Sequence, residues 1–356
     1  DPLFYLKKEE TMLLSKLSGK GLVAAMLAVC LTGGSACAAG EEIVWPKKMV
    51  VSMATSGGPA NMIMAAIARV IEKNTPVQRV IVQPIGGINN FAPMMEKGEV
   101  DMAIHSGADV MAHMAGLEGA DKMGFMRTLL PASSQAFVCL TTPDKGIKNL
   151  ADLKGKVVYS RNPGNTMFDP VVRALLAGAG LKDSDLKANL TKANNTVAIA
   201  DVVEDRADAM IMPALTNVVM ELRQAKGDCL FITPTDEQLP AVKSAMPPGY
   251  YFDTLPAGSR LYGNTDEVKN APIYRSVLLV NEKMPKAMAA ELVRVIMEHR
   301  DEWGNVHGQA VDWGVMSLGL PPMHEGAREY FESKGLITDE QKAEQDKFLS
   351  MLSAQE

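Results

Sequence analysis

A chain of 356 residues, 47% apolar and 22% charged, is long enough for cores of ordinary size and too evenly charged to be disordered throughout. Its net charge of -6 argues against a nucleic-acid surface, which needs clustered Lys and Arg to neutralise phosphates, so no nucleic-acid partner is expected. An anionic small molecule stays open as a partner, because one local Arg or one helix N-terminus can hold an anion on an acidic protein.

The first feature along the chain is a targeting signal. Met12 reads as a translation start, followed by Lys16 and Lys20, an apolar stretch from Leu22 to Leu31, and small residues with an Ala-Cys-Ala context at Ala36 to Ala38. This order of basic, apolar and small residues predicts a cleavable signal peptide over residues 12–39 and hence a periplasmic protein. The apolar stretch is shorter than the roughly 20 residues a membrane span needs. Two of the four cysteines, Cys30 and Cys37, fall in this segment. The other two, Cys139 and Cys229, sit in apolar strand-like runs and read as buried free thiols, with a disulfide in an oxidising compartment as the alternative.

Mature sequence begins near Glu41. Met49 to Ala54 is a β-leaning run, broken by Thr55-Ser56-Gly57-Gly58-Pro59. A helix is expected next, with Thr55 or Ser56 near its cap, Pro59 in its first turn and Ile63, Ile67, Val70 and Ile71 on one face. Val80 to Gln83 is a second short strand. Gly86-Gly87-Ile88-Asn89-Asn90 opens a second helix that ends at Gly98, and Val100 to Ile104 is a third strand. Strands alternating with helices predict a parallel α/β sheet.

The plan then recurs. Lys156 to Ser160 is a strand, Asn162-Pro163-Gly164-Asn165-Thr166 a turn, and Phe168 to Ala177 a helix. Glu204 to Met212 echoes Glu96 to Ile104. Asp101 and Asp208 lie 107 positions apart, and so do Val51 and Val158. One shared offset predicts two lobes of similar build, since the period is far longer than that of a solenoid. Ala136 to Thr142 and Ile273 to Asn281 are extended, apolar and placed to cross between the lobes as antiparallel strands. The lobes then comprise residues 44–136 with 281–356, and residues 137–280. After Pro285 the pattern is helical, as in Ala287 to Trp303 and Thr338 to Leu352, and this tail should pack on the first lobe.

In a parallel α/β sheet, ligands bind at the carboxyl ends of the strands. Three loops there have the right donors: Thr55, Ser56, Gly57 and Gly58; the Gly86 loop with Asn89 and Asn90; and Arg161, Asn162, Gly164, Asn165 and Thr166. Helix N-termini favour carboxylate or phosphate. Arg161 adds either a bidentate carboxylate clamp or a solvated surface charge. His105 ends the third strand as a ligand contact or a hydrogen-bonded structural residue. Asp109 reads as a helix-start residue, with a ligand amine as its other partner. His299, His307 and His324 have no metal-site spacing, so no metal is expected. No nucleophile elbow, phosphate-loop lysine or dinucleotide fingerprint occurs, so neither a catalytic residue nor a cofactor is assigned.

Four segments in order, Met53 to Gly58, Gly86 to Phe91, Glu96 to Ile104 and Asn149 to Lys156, resemble the TAXI group of solute receptors, which serve tripartite ATP-independent periplasmic (TRAP) transporters. The resemblance runs from about Lys47 to His307, with Ile273 to Pro285 similar to the returning hinge strand. Two loops depart from the family pattern: His105 to Asp109 replaces a Gln-Ser-Asp-like run, and Pro163 to Thr166 is one residue shorter than usual. The resemblance implies a two-lobed, periplasmic-binding-protein-like (type II-like) fold that closes on its ligand by hinge motion. It implies TRAP membrane permease subunits as partners and no chemistry, while the three loops themselves point to a small organic anion (amino acid, dicarboxylate or keto acid) as ligand. A receptor for an ATP-driven importer or sensor kinase, or an enzyme on a similar two-lobed fold, is the alternative.

Overall fold

The computed structural model describes residues 42–53, 58–161, 167–191 and 195–354. The chain divides after Gly40, and everything described belongs to the unit Glu41–Glu356. The expected signal segment, Thr55 to Gly57, and Asn162, Gly164, Asn165 and Thr166 lie outside the described residues.

Two triplets of parallel strands form the frame. The first holds β1 (Lys48–Met53), α1 (Pro59–Asn74), β2 (Arg79–Pro84), α2 (Ile88–Glu96), β3 (Met102–Ser106) and α3 (Gly107–Ala115), then passes into β4 (Met126–Thr141). The second holds β5 (Val157–Arg161), α4 (Phe168–Gly178), β6 (Ala188–Thr191), α5 (Asn195–Val203), β7 (Ala209–Pro213) and α6 (Thr216–Lys226). It continues through β8 (Leu230–Ile232), α7 (Leu239–Ala245) and β9 (Tyr251–Leu255) into β10 (Val268–Asn281). The chain ends in α8 (Lys286–Glu298), α9 (Arg300–Trp303), α10 (Glu325–Ser333) and α11 (Asp339–Ser353). The strand order is β2-β1-β3-β10-β4-β7-β5-β6, with β8 on β4 and β9 on β10. This is the α/β fold with a mostly parallel central sheet that the alternation of elements predicts.

The 107-residue echo is a repeat of register. Val51 pairs with Met102 and Val158 with Ala209; Val50 pairs with Ile81 and Val157 with Ala188. At the same offset, the Val50 N–H donates to the Asp101 carboxylate at 2.7 Å and the Val157 N–H to that of Asp208 at 2.8 Å.

The hydrophobic residues sort as the patterns require. Ile63, Ile67, Val70 and Ile71 of α1 are all buried, in a core with β1, β3, α8 and both Trp303 and Trp313. A second cluster, with Phe91, Met95, Val110 and Met114, covers the other face of that sheet. A third, built on Phe137, Tyr159, Phe168, Leu175, Met210 and Ile211, belongs to the second triplet. Cys139 and Cys229 are buried and free in it, and burial pushes both thiols up to about 12, so both stay protonated at neutral pH.

β4 and β10 pair antiparallel from Met126 with Asn281 to Ala136 with Ile273. They are the crossing strands, and β4 begins ten residues before the expected start at Ala136. The tail departs further from expectation. The helix expected from Ala287 to Trp303 breaks at His299, and residues 304–324 are mostly turns, one of them the short Gly308–Asp312 helical turn. Gly304, Gly314, Gly319, Pro321 and Pro322 account for this, since each weakens or stops a helix. No helix among the described residues is long and apolar enough to cross a membrane.

Candidate functional site

The carboxyl ends of β1, β3, β5 and β7 all point toward the middle of the crossing strands. Beside that crossing lies a cavity of about 1200 Å³. Its walls are the start of α1 (Gly58 to Ala60), the start of α6 (Leu215 to Asn217), Ser133 to Gln135 of β4, Arg275 and Ser276 of β10, the segment from Tyr251 to Tyr262, and the turn from His307 to Asp312. Among the described residues both helix N-termini are bare: neither α1 nor α6 has a side-chain cap, and neither carries an acidic residue in its first turn. Their unpaired N–H groups and partial positive charge are therefore uncompensated from within the helix.

A connected set of polar groups stands on the cavity wall. Asp312 accepts from the Ser134 N–H at 3.1 Å and also from the Ser134 hydroxyl, while the Tyr262 hydroxyl donates to Ser134 Oγ at 2.9 Å. Burial pushes the Tyr262 hydroxyl up to about 12, so it stays a donor at neutral pH. Arg275 is 6% exposed. Its Nε donates to Ser317 Oγ at 2.9 Å, and Nη1 to the carbonyl oxygens of Ala132 and Asp312, both at 3.0 Å. Arg260, also on the wall, is exposed.

The residues singled out in the sequence distribute unevenly around this cavity. Gly58 lines it. Asn89 and Asn90 are exposed at the start of α2, and Asn89 Oδ1 lies 3.2 Å from His113 Nε2. His105 sits near the end of β3, edge-on to Phe91 at 5.5 Å between ring centroids, with Nε2 3.5 Å from Asp109 Oδ2. Burial pushes His105 down to about 4 and Asp109 up to about 6, so at pH 5 both are mainly neutral. Asp109 is held by its helix start, where Ser106 Oγ accepts the Asp109 N–H at 3.3 Å. The Met167 backbone N–H, at the start of α4, also favours the Asp109 carboxylate, and its Oδ1 is buried without a hydrogen-bond partner.

Arg161 is placed differently from the ligand clamp considered for it. Its Nη1 donates to Asp169 at 2.9 Å and its Nη2 to Asp183, so two protein carboxylates occupy the guanidinium, and it does not line the cavity. Asp169 and Asp183 stand eight and twenty-two positions away, which left the pairing illegible in the sequence. Conversely, Ser134, Thr216, Tyr262, Arg275 and Asp312 line the cavity and were not singled out. Only Arg275 had a signal: a charge in the middle of the apolar run Ile273 to Asn281.

Among the described residues no group of three or more His, Cys, Asp and Glu is placed to hold a metal. His299 contacts Glu302 at 2.9 Å, His307 Nδ1 accepts the Gln309 N–H at 3.1 Å, and His324 Nε2 lies 2.9 Å from the Met284 carbonyl.

Comparison with solved structures places the fold. The chain is similar to XAC2383 from Xanthomonas citri bound to ATP, at 12% identity and a TM-score of 0.52 over 87% of this chain and 98% of that one. It is similar to PhnD1 from Prochlorococcus marinus in complex with methylphosphonate, at 10% identity and a TM-score of 0.50 over 82% and 99% of the two chains. A TctC solute-binding protein from Polaromonas matches at 12% identity and a TM-score of 0.50 over 87% and 98%. These likenesses establish a periplasmic-binding-protein-like fold. The sequence itself matches the NMT1-like family over residues 51–335, and the chain belongs to that family.

Proposed function

We propose that this protein is a periplasmic solute receptor that captures a small carboxylate-bearing metabolite and delivers it to a TRAP-type secondary transporter. The carrying observation is the cavity where two bare helix N-termini, α1 from one strand triplet and α6 from the other, open beside the crossing strands. An anion there has donors from both sides. Residues 44–136 with 281–356 then form one lobe and residues 137–280 the other, and the ligand favours closure by touching both. The TctC likeness supports the solute-binding role in fold alone. The ordered motifs from Met53 to Lys156 support the TRAP partner, and the basic, apolar and small residues of 12–39 support export.

A thermal-unfolding screen tests this. Dicarboxylates, keto acids and amino acids are compared with neutral sugars and polyamines. At least one acid is expected to stabilise the protein by about 2.7 kcal/mol at a hundredfold excess over its dissociation constant. Stabilisation by sugars or polyamines and by no acid would refute the reading.

A further inference from the structure

We propose that Arg275, at the centre of β10, is the anchor for the anionic group of the ligand; this rests on the receptor reading above and names the residue that carries it. A guanidinium keeps its charge under all ordinary conditions and offers five N–H donors in a fixed plane. At Arg275 three are used: one at Nε by Ser317, and two at Nη1 by the carbonyls of Ala132 and Asp312. Both donors of Nη2 are left without a partner among the described residues. All three acceptors are neutral oxygens. Asp312, whose carbonyl accepts from Nη1, turns its carboxylate Oδ2 to the N–H and hydroxyl of Ser134.

A cation 6% exposed that makes no ion pair among the described residues is an unusual arrangement. Buried charges are normally paired, because low dielectric makes an unpaired one costly. Arg275 also lines the cavity onto which the two bare helix N-termini open. A carboxylate on Nη2 would neutralise the guanidinium, fill the two idle donors and meet the positive ends of α1 and α6. The contrast with Arg161 sharpens the assignment, since that guanidinium is already filled by Asp169 and Asp183.

The position has a mechanical consequence. The pairing of β10 with β4 shifts register between Arg275 and Val277. The anchor therefore sits at an irregularity in the two strands that join the triplets, where a bulge already bends the ladder. An anion bound there contacts the joint itself as well as both walls.

Calorimetric titration of succinate, malate, 2-oxoglutarate, L-glutamate and L-aspartate tests the anchor on the wild type, Arg275→Gln, Arg275→Lys and Arg69→Ala. For the acid that binds wild type most tightly, Arg275→Gln is expected to weaken affinity about 10- to 150-fold, the range for a charged hydrogen-bonded contact. Arg275→Lys is expected to fall between that and wild type, because it keeps the charge and loses the planar fork. Arg69→Ala, exposed on α1 and outside the cavity lining, is expected to change affinity by less than about threefold. A purely structural Arg275 would lower the unfolding temperature of the unliganded variants and leave the affinity of the folded fraction intact. Affinity within about threefold of wild type in both Arg275 variants overturns the anchor and leaves the receptor reading standing. If Arg275→Gln does not fold, Arg275→Lys decides by the same criterion. Failure of all five acids to bind wild type overturns the carboxylate reading and the anchor together.

Discussion

Asp109 and His105 show how two buried groups can hide each other. Burial raises Asp109 from 3.8 to about 6 and lowers His105 from 6.5 to about 4. Between pH 4 and 6 the folded protein keeps a proton on Asp109 that the unfolded chain has lost, so this group makes stability fall as pH rises. Over pH 4 to 6.5 the unfolded chain holds a proton on His105 that the folded protein lacks, so this group makes stability rise. The two slopes oppose each other in one window. The other titratable groups facing Asp109 are His113, Tyr250 and Tyr274, and both tyrosines are pushed up by burial and stay neutral there. Relative to wild type, Asp109→Asn is expected to gain stability from pH 4 to 6, by at most about 3 kcal/mol for a shift of roughly two units. His105→Gln is expected to lose stability over the same range by a similar amount. Urea unfolding at several pH values reads both, and slopes of the same sign in the two variants would dismiss the opposed-burial account. Site legibility at this scale was partial. Loop composition pointed to Gly58 and to the Arg161 loop, because donors and glycines before a helix are visible in sequence. It could not show which guanidinium already had carboxylates, because Asp183 reaches Arg161 only through the packing of the second triplet.

At the scale of elements, the repeat was the most legible feature, because it is written in strand register. Asp101 and Asp208 each accept a backbone N–H from the neighbouring strand, at Val50 and Val157. Each also donates its own N–H to that same residue, at 3.0 Å for Asp101 and 2.8 Å for Asp208. A carboxylate placed this way closes the end of a parallel pair where the ladder has run out of partners. Asp101→Ala and Asp208→Ala are expected to cost about 1 to 3 kcal/mol each, since each leaves a strand-end N–H without its acceptor. The double variant should cost their sum within about 0.5 kcal/mol, because the two sites share no partner. Denaturant titration of the four proteins tests this, and a strongly unequal pair would mean that the two ends are not mechanical equivalents. The start of β4 was less legible for a physical reason. Pro131 falls in its first half, and Pro is usually excluded from a central strand. Here Pro131 is tolerated because it faces Val277 beside the register shift that starts at Arg275.

At the scale of the whole molecule, α3 ties the two strand triplets together beside β4 and β10. All nine of its residues are buried. Val110, Met111 and Met114 pack in the cluster on the first sheet, whereas Ala108 and Ala112 belong to the core of the second triplet. A run of small and apolar residues from Gly107 to Ala115 shows that a helix is buried all round, and nothing in that run says against what. The partner is partly Gly249, whose φ of +90° and position leave no room for a side chain, since a Cβ there would stand 2.5 Å from Ala108 Cα. If receptor closure brings this contact together, a larger residue at Ala108 acts as a wedge on the closed state alone. Ala108→Leu adds three carbons at a site with no spare volume, which costs about 1 to 3 kcal/mol. Charged to closure, that energy is expected to weaken the best-binding acid about 5- to 150-fold. Unfolding of the unliganded protein should hardly change, and the radius of gyration in X-ray scattering should shrink less on ligand addition than in wild type. Equal loss of stability with unchanged affinity would show instead that the α3 contact is permanent and that closure happens elsewhere on the crossing strands.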